Sequence, residues 1–333
     1  MLVSMVMAVY NGQKFLREAL NCALAQTYPN LEIIIVNDGS TDSTAKILDK
    51  LDDSRVKVIH LHQNQGAANA LNLAISHAKG EWIAIQDADD NSFPDRIKEQ
   101  VQYIHDCPEL VGVGTLVRCI SGNPDVPDAV YEEWTRGRNR NVSRKAIKKV
   151  IYSTCPLTHS SVMFSKKVFQ KVGGYDQRFR IAYDYDLWLK LVEHGELEKI
   201  PQVLIDYRIY QSSLSHKDFD ATSDEIQLAA SRAIFRLKQK GKDHQPKVIL
   251  MGEKTTCEKY LRNIVPSTHL LAETIIYENF RKKLPSIIRK IKSGKLDAMI
   301  LLNYNHNQKI LRNLVRNGLK LNKDFFVLFN PEQ

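Results

Sequence analysis

The sequence lacks the features that mark several classes of protein. Only five of its 333 residues are cysteine, and none belongs to a C-x-x-C pair, so no zinc site or redox pair is indicated. Its apolar runs are far shorter than the roughly 20 residues that cross a bilayer. Residues 1–10 lack the charged start and small-residue cleavage site of a secretory signal. These absences predict a soluble, cytoplasmic protein with reduced thiols.

Acidic residues are scarce only near the C-terminal end. The chain has 47 Lys and Arg against 38 Asp and Glu, but residues 1–240 hold 30 of each sign and residues 241–333 hold 17 basic and 8 acidic side chains. The basic stretch 281–292 fits two interpretations, a solvated surface or a contact with anionic lipid headgroups at the inner face of a membrane. Nucleic-acid binding is disfavoured, because no aromatic ring beyond Phe280 lies there to stack on bases.

Strands and helices alternate through the first hundred residues. Apolar runs at Leu2–Val9, Leu31–Val36 and Trp82–Gln86 end at turn residues, and helical periodicity follows the first two. Strands that are apolar on both faces predict a mostly parallel sheet covered by helices. Ligands of such sheets bind beyond the carboxyl ends of the strands. We therefore expect Asp38 and Asp87, which follow two of these strands, to lie on one rim.

Four carboxylates crowd the end of the strand at Trp82–Gln86, at positions 87, 89, 90 and 95. Their mutual repulsion is costly unless a cation relieves it. Mg²⁺ or Mn²⁺ needs only one or two carboxylates when phosphate oxygens and water fill its other positions. The D-x-D pair Asp87 and Asp89 is therefore a candidate metal site, although Asp-rich loops are common without one. Asp90 has a second interpretation as the cap of the helix that begins near Pro94.

Several motifs occur together in a fixed order. They are AVYNGQKFL (8–16), NDGSTDST (37–44), NQGAANALNLAI (64–75), GEWIAIQDADDNSFPDRI (80–97), GGYDQRF (173–179) and AYDYDLWLKL (182–191). Over roughly residues 1–215 the chain strongly resembles the inverting glycosyltransferases of family 2, which have the Rossmann-like α/β GT-A fold with a mostly parallel sheet flanked by helices. The resemblance implies transfer of a sugar from a nucleotide-diphosphate donor to an acceptor hydroxyl. It also implies a role in cell-surface polysaccharide or glycolipid synthesis, with a saccharide or lipid-linked saccharide as acceptor.

The resemblance assigns donor-binding positions. Ala8, Val9 and Tyr10 match the end of the family's first strand, which receives the nucleobase, and Asp38 matches the carboxylate that hydrogen-bonds the base, usually uracil. Asp87 matches the residue that lies toward the ribose and the metal. Its D-x-D partner, the aspartate at position 89, matches the ligand of a Mn²⁺ or Mg²⁺ ion that bridges the two phosphates.

Asp184 matches the family's catalytic carboxylate. An attacking hydroxyl must lose its proton, and an ionised carboxylate within reach can take it as a general base. The usual preceding Glu is replaced by Tyr183, which leaves open what performs its role in contacting the sugar or acceptor. Asp184 also has an alternative interpretation as the N-cap of a helix at 185–192. Asp186, the rival carboxylate, is expected to serve the helix dipole or the surface.

Three further residues are candidates for acceptor or phosphate contacts. His159 precedes a short strand beside the acceptor region of related sequences, and Gly174 lies in a turn where glycine allows a tight backbone path near the sugar. Arg208 occupies a position from which it could contact the diphosphate.

The predicted organisation is a GT-A domain at 1–220, a helix and linker at 221–246, and a small Rossmann-like α/β domain at 247–333. In that last domain Gly252 stands alone, without G-x-G-x-x-G, so no dinucleotide is assigned. Two other functions stay open. A sugar-nucleotide nucleotidyltransferase would need a Gly-rich basic loop after the first strand, and Tyr10–Gln13 offers none. A catalytically inactive GT-A binding module is opposed by the retained aspartates but favoured by Tyr183.

Overall fold

The computed structural model describes residues 1–122, 127–210, 219–276, 280–302 and 308–328. The chain divides into two compact units. The first contains Met1–Lys148 and Pro156–Lys217, and the second contains Lys149–Cys155 and Asp218–Gln333. Within the described residues, no helix combines the length and the hydrophobicity that crossing a bilayer requires.

The first unit is built on one sheet. Its strands are β1 (Val3–Val9), β2 (Leu31–Asn37), β3 (Val56–His60), β4 (Trp82–Ile85), β5 (Asn91–Ser92), β6 (Leu110–Ser121), β7 (Met163–Ser165) and β8 (Glu196–Ile209). The strands are hydrogen-bonded in the order β3-β2-β1-β4-β7-β6-β8-β5. Strands β3, β2, β1 and β4 are parallel, as are β6 and β8, whereas β7 runs antiparallel to β4 and β6 and β5 to β8. The predicted mostly parallel sheet is confirmed.

Helices connect these strands. They are α1 (Leu16–Leu24), α2 (Thr44–Leu48), α3 (Ala67–His77), α4 (Arg96–Asp106), α5 (Asp128–Arg138), α6 (Arg144–Val150), α7 (Lys166–Lys171) and α8 (Tyr183–Leu191). A short 3₁₀ turn covers His159–Ser161. The helix α1 shows how the pattern sets the packing, because Leu16, Leu20 and Ala23 recur at helical spacing and are buried against β1 and β2. Each fully buried leucine contributes about 1.5–3 kcal/mol.

The register of β1 and β2 places the carboxyl ends of these two strands at the same level of the sheet. Strand β1 pairs with β2 from Val3 with Leu31 to Val9 with Asn37, so both strands end at the same level. Asp38 follows β2 directly, and its backbone N–H donates to the carbonyl of Val9 at 2.8 Å. The side chains that follow these strands therefore start from one edge of the sheet.

The second unit contains the predicted small α/β sheet. Its strands are β9 (Lys247–Gly252), β10 (Leu271–Ile276), β11 (Ala298–Leu301) and β12 (Phe325–Val327), and its helices are α9 (Phe219–Gln239), α10 (Lys254–Asn263), α11 (Phe280–Lys292) and α12 (Gln308–Arg316). All the strand pairs are parallel, in the order β10-β9-β11-β12. The apolar stripe of α11, including Leu284, Ile287 and Ile291, packs in one core with Met299 and Phe325.

The segment Lys149–Cys155 belongs to the second unit although its sequence neighbours on both sides belong to the first. The Tyr152 ring packs edge-on against Phe326 with 5.0 Å between centroids. The side-chain amide of Asn322 donates to the carbonyl of Lys149 at 3.0 Å. The second unit is therefore assembled from two separate pieces of the chain.

Candidate active site

Asp38 stands at the carboxyl end of β2 and is almost fully buried. Its two carboxylate oxygens accept hydrogen bonds from the backbone N–H groups of Gln65 at 2.8 Å and Gly66 at 2.9 Å. Asp38 thus fixes the start of α3, where Gly66 has a φ of +90° that favours glycine. Each carboxylate oxygen keeps a further lone pair with which it can accept a hydrogen bond from a ligand.

The end of β1 lies on the same edge. Val9 is buried, Ala8 is partly buried, and Tyr10 has half of its surface exposed. The turn after β1 is tied to the segment before α2, since the backbone N–H of Gly12 donates to the hydroxyl of Thr44 at 2.9 Å. The exposed Tyr10 and the buried Asp38 thus follow two paired strands at the same level of the sheet.

The acidic cluster after β4 is held by hydrogen bonds. Asp89 accepts from the hydroxyl of Tyr210 at 2.6 Å. Asp90 is buried and accepts from the backbone N–H of Arg208 at 2.7 Å and the hydroxyl of Ser160 at 2.5 Å. The alternative role of Asp90 as a helix cap is wrong, because Asp95 occupies the N-cap position of α4. Asp90 instead joins β8 to the 3₁₀ turn.

The carboxylates of this cluster disfavour one another's ionised forms. Burial, and after it the charge of Asp87, raises the pKa of Asp89. Burial and the charges of Asp89 and Asp87 raise the pKa of Asp90 well above its ordinary value. The cluster therefore carries more negative charge than its surroundings stabilise, and a bound cation would relieve that excess.

A permanent cation already lies below the cluster. Arg96 is fully buried, and its guanidinium donates to the hydroxyl of Ser92 at 2.9 Å and to the side chain of Gln100 at 3.2 Å. Burial lowers the pKa of Arg96 to about 9, against the opposing charges of Asp87 and Asp90. Arg96 therefore stays charged at neutral pH and offsets part of the negative charge of the cluster.

The D-x-D pair fits a divalent ion that shares its shell with a ligand. Among the described residues there is no group of three or more His, Cys, Asp or Glu arranged to hold a metal alone. Mg²⁺ and Mn²⁺ nonetheless bind through one or two carboxylates when phosphate oxygens and water complete the shell. Asp87, whose side chain is 31% exposed, and Asp89 supply such a pair, and a bound cation would favour the ionised form of Asp89, whose pKa burial raises.

His159 links the D-x-D pair to a neighbouring turn. Its Nδ1 lies 3.0 Å from a carboxylate oxygen of Asp87, and its Nε2 lies 3.0 Å from the hydroxyl of Tyr175. Burial acts to lower the pKa of His159, but the charge and hydrogen bond of Asp87, with the charge of Asp184, outweigh it and raise that pKa. Asp87 therefore contacts this imidazole directly, and the charge of Asp184 also acts on it.

Asp184 is the second residue of α8. The N-cap of that helix is Ala182, so the alternative role of Asp184 as the cap is wrong. The carboxylate accepts from the backbone N–H of Tyr185 at 2.7 Å and is partly exposed. Burial raises the pKa of Asp184, with His159 acting in the opposite direction and Asp87 adding to the rise.

Asp186 lies in the first turn of α8, where the predicted role toward the helix dipole requires it, but the alternative prediction of a surface role is wrong. It is 1% exposed and forms an ion pair with Lys190 at 2.5 Å, one helical turn further on. The apolar side chains of α8 that flank it, including Leu187 and Trp188, are fully buried. Asp184 is thus the partly exposed carboxylate of this helix, and Asp186 is an internal one.

The turn before α8 is held rigidly by α3. The side-chain amide of Asn72 bonds both the N–H of Tyr175 at 3.1 Å and its carbonyl at 2.9 Å. Gly174 has a φ of +69°, and a Cβ there would lie 2.9 Å from the Oδ1 of Asn72 and 3.0 Å from the ring of Phe169. Only glycine fits this position, which brings Tyr175 into contact with His159.

Arg208 lies at the edge of the acidic cluster. Its guanidinium donates to Glu18 at 2.6 Å and to the carbonyl of Asp89 at 2.9 Å, and it stacks 4.4 Å above the ring of Phe15. These contacts fix Arg208 beside the D-x-D pair.

Sequence reasoning did not single out the roles of Asn72, Tyr175, Ser160, Arg96 or Tyr210. The motif strings NQGAANALNLAI and GGYDQRF contained the first two, but no local pattern assigned either a partner.

Comparison with known proteins agrees with this geometry. A sequence model described as glycosyl transferase family 2 matches residues 4–173. An uncharacterized glycosyltransferase of Rickettsia prowazekii, RP339, is 32% identical over 221 residues, and the match covers 65% of this chain and 66% of that protein. The putative glycosyltransferase EpsE of Bacillus subtilis is 32% identical over 200 residues, covering 58% of this chain and 67% of EpsE.

Solved structures share the fold at low identity. The structure of S. aureus TarS 1–349 in complex with UDP-GlcNAc has a TM-score of 0.58 at 18% identity, covering 74% of this chain and 68% of that one. The mannosyltransferase PcManGT from Pyrobaculum calidifontis, in complex with GDP-Man and Mn²⁺, has a TM-score of 0.50 at 19% identity, covering 73% of this chain and 65% of that one. The predicted GT-A-type α/β fold is confirmed, and the family model spans half of the sequence. The chain therefore belongs to glycosyl transferase family 2.

Proposed function

We propose that this protein catalyses the metal-dependent, inverting transfer of a sugar from a nucleotide-diphosphate sugar, with UDP as the favoured nucleotide, to an acceptor hydroxyl. The observation that carries the proposal is the shared environment of Asp87 and Asp184 around His159. Asp87 bonds that imidazole at 3.0 Å, and Asp184 contributes to its raised pKa. A single displacement requires that the diphosphate end of the donor and an ionisable base lie close together.

The donor-binding roles follow the edge of the sheet. Tyr10 offers an exposed ring and Asp38 a buried carboxylate with free lone pairs, which suits a planar base with an N–H donor. Ala8 and Val9 supply the backbone beneath it. The D-x-D pair then lies toward the ribose and diphosphate. Solved neighbours with the same fold are complexes with UDP-GlcNAc and with GDP-Man and Mn²⁺.

Asp87 and Asp89 would hold Mn²⁺ or Mg²⁺, which stabilises the negative charge that develops on a leaving diphosphate. The other roles in the reaction are performed by side chains of the protein. His159 holds Asp87 in place, and Arg96 balances charge below the cluster. Asp184 accepts the proton of the acceptor hydroxyl as the oxygen attacks the anomeric carbon. Its raised pKa makes it a stronger base than an ordinary Asp.

A donor panel tests this function. Purified protein with Mn²⁺ would be heated in the presence of UDP-, GDP- and TDP-sugars, and the unfolding midpoint and the release of nucleotide would both be measured. A ligand that binds the native state at 100 times its Kd adds about 2.7 kcal/mol of stability. We expect one nucleotide class, UDP, to raise the midpoint and to be released. If no nucleotide sugar does either, the proposed function is wrong.

We further propose that the acceptor is a saccharide or a lipid-linked saccharide, reached at the cytoplasmic face of a membrane through the basic helix α11. Lys282, Lys283, Arg289 and Lys290 are exposed on this helix, whereas its apolar stripe is buried in the core of the second unit. Contact with lipid would therefore be electrostatic. The side chain of Arg281, also part of the basic stretch, lies outside the described residues.

Vesicle sedimentation tests the membrane contact. The protein should bind vesicles of phosphatidylglycerol and not of phosphatidylcholine, with binding lost at high salt. Each basic residue near an anionic surface contributes about 1 kcal/mol, so changing Lys282, Lys283 and Lys290 together to Glu should weaken binding by about 10²-fold or more. The same change at exposed Lys46, Lys50 and Lys98 is the matched control. Equal loss in both triple variants, or binding to neutral vesicles, would contradict the contact.

A further inference from the structure

Tyr183 lies directly before Asp184 in the sequence. It is the first residue of α8, and two neighbouring aromatic rings fix the position of its side chain. The His159 ring lies edge-on to it with 5.4 Å between centroids, and the Tyr175 ring lies edge-on with 5.6 Å between centroids. Since Asn72 and Asp87 in turn hold Tyr175 and His159, the Tyr183 ring has little freedom to move.

The hydroxyl of Tyr183 is the unused polar group of this arrangement. Its side chain is only partly buried, and no residue that the structure describes forms a hydrogen bond with the hydroxyl. Burial, followed by the charges of Asp87, Asp184 and Asp89, raises the pKa of Tyr183 well above its ordinary value. The phenol therefore stays protonated at neutral pH and carries a donor that the protein itself does not satisfy.

The phenol of Tyr183 determines what can bind here. Ionised carboxylates such as that of Asp184 only accept hydrogen bonds, whereas a phenolic O–H can donate one. The charge of Asp184, which acts on Tyr183 and is not assigned to the metal, opposes a further anion at this place, such as the carboxylate of an acidic sugar. The group that best matches Tyr183 is thus a neutral, strongly accepting oxygen. On a saccharide, an amide carbonyl is such an oxygen.

Resting on the proposed function, we infer that Tyr183 is a specificity-determining residue whose hydroxyl donates to the carbonyl oxygen of an acetamido group on a sugar bound beside Asp184. The contact selects N-acetylated sugars over sugars with a free hydroxyl at the same carbon. The acetamido sugar has two sources, the donor and the acceptor, and both use the same chemistry.

The test compares substrates that differ only at that carbon. UDP-N-acetylglucosamine and UDP-glucose are the donor pair, and kcat/KM for UDP release is measured for the wild type and for Tyr183→Phe, which removes only the hydroxyl. One hydrogen bond between neutral groups corresponds to a preference of about two- to tenfold. We expect Tyr183→Phe to lose that preference, so that the ratio of kcat/KM for the two donors falls to about one.

A second arm distinguishes the two sources. With the donor fixed, transfer to octyl β-N-acetylglucosaminide is compared with transfer to octyl β-glucoside. If the preference that Tyr183→Phe removes appears in this pair and not in the donor pair, the acetamido sugar is the acceptor. The inference is wrong if Tyr183→Phe leaves the preference unchanged in both the donor pair and the acceptor pair. It is also wrong if the wild type shows no preference in either pair.

Two variants complete the design. Tyr28→Phe also removes a hydroxyl, one that donates to the carbonyl of Met1 at 2.6 Å, and should leave both ratios unchanged. Tyr183→Glu replaces the hydrogen-bond donor with an acceptor and should lose the acetamido preference as Phe does. If the wild type releases nucleotide from no donor, the proposed function fails. If release occurs with unaltered ratios, the role of Tyr183 alone fails.

Discussion

Replacing Asp184 with Asn is expected to lower kcat by about 10²- to 10⁴-fold, the usual contribution of general acid–base catalysis. The amide keeps the shape of the side chain and can still accept the hydrogen bond from Tyr185, but it cannot take a proton. Because Asp184 lies on α8 and not on the edge formed by β1 and β2, the affinity for UDP should change by less than about twofold. Steady-state UDP release and calorimetric titration of UDP would measure the two effects.

The pH profile gives a second readout for the same residue. The pKa of Asp184 is raised by burial, so the acid limb of the wild-type kcat/KM profile should lie above the ordinary Asp value of about 3.9. Activity should fall as the pH drops through the raised pKa, because the protonated carboxyl is no longer a base. Exposed Asp52, changed to Asn, is the control and should leave rate and profile intact. Undiminished turnover by Asp184→Asn would remove Asp184 from the role of base.

Removal of the divalent ion should lower turnover about as strongly as Asp184→Asn does. A metal that stabilises a leaving diphosphate contributes several kcal/mol, so chelation with EDTA should reduce turnover by at least about 10²-fold, and Mn²⁺ or Mg²⁺ should restore it. Asp89→Ala should weaken UDP binding in Mn²⁺ by about tenfold or more while leaving metal-free binding unchanged. Calorimetric titrations of UDP with and without Mn²⁺ separate these effects.

Tyr210→Phe is the matched control for the metal experiment. It removes the hydrogen bond that Asp89 accepts at 2.6 Å but leaves the carboxylate itself. Its effect on Mn²⁺-dependent binding should therefore be smaller than that of Asp89→Ala. Equal UDP affinity in the presence and absence of Mn²⁺, together with full activity in EDTA, would show that the D-x-D pair acts without a metal.

The part of the fold that builds the donor edge could be predicted from the sequence. Strands β1, β2 and β4 begin and end within one or two residues of their predicted bounds. Their signals are local, because buried parallel strands form short continuous apolar runs and the turns between them contain glycine and aspartate. Strand β8 gave no such signal, since Glu196–Ile209 contains several charged residues and Pro201.

The connections inside the site could not be predicted in this way. His159 meets Asp87 across 72 positions, and Asn72 meets Tyr175 across 103. Each pairing depends on tertiary packing, which outweighs local preference. Asp186 shows the same limit, because its position in the first turn of a helix allowed either a role toward the helix dipole or a place on the surface, and the packing of α8 buries it with Lys190.

The piecewise assembly of the second unit restricts how this protein can be engineered. A truncation after Lys217 would keep Lys149–Cys155 but delete Phe326 and Asn322, the residues that pack on Tyr152 and bond Lys149. The retained segment would then present an orphaned aromatic surface to solvent, a known cause of aggregation. A chimera that exchanges the C-terminal module should therefore graft a matching segment in place of Lys149–Cys155 as well.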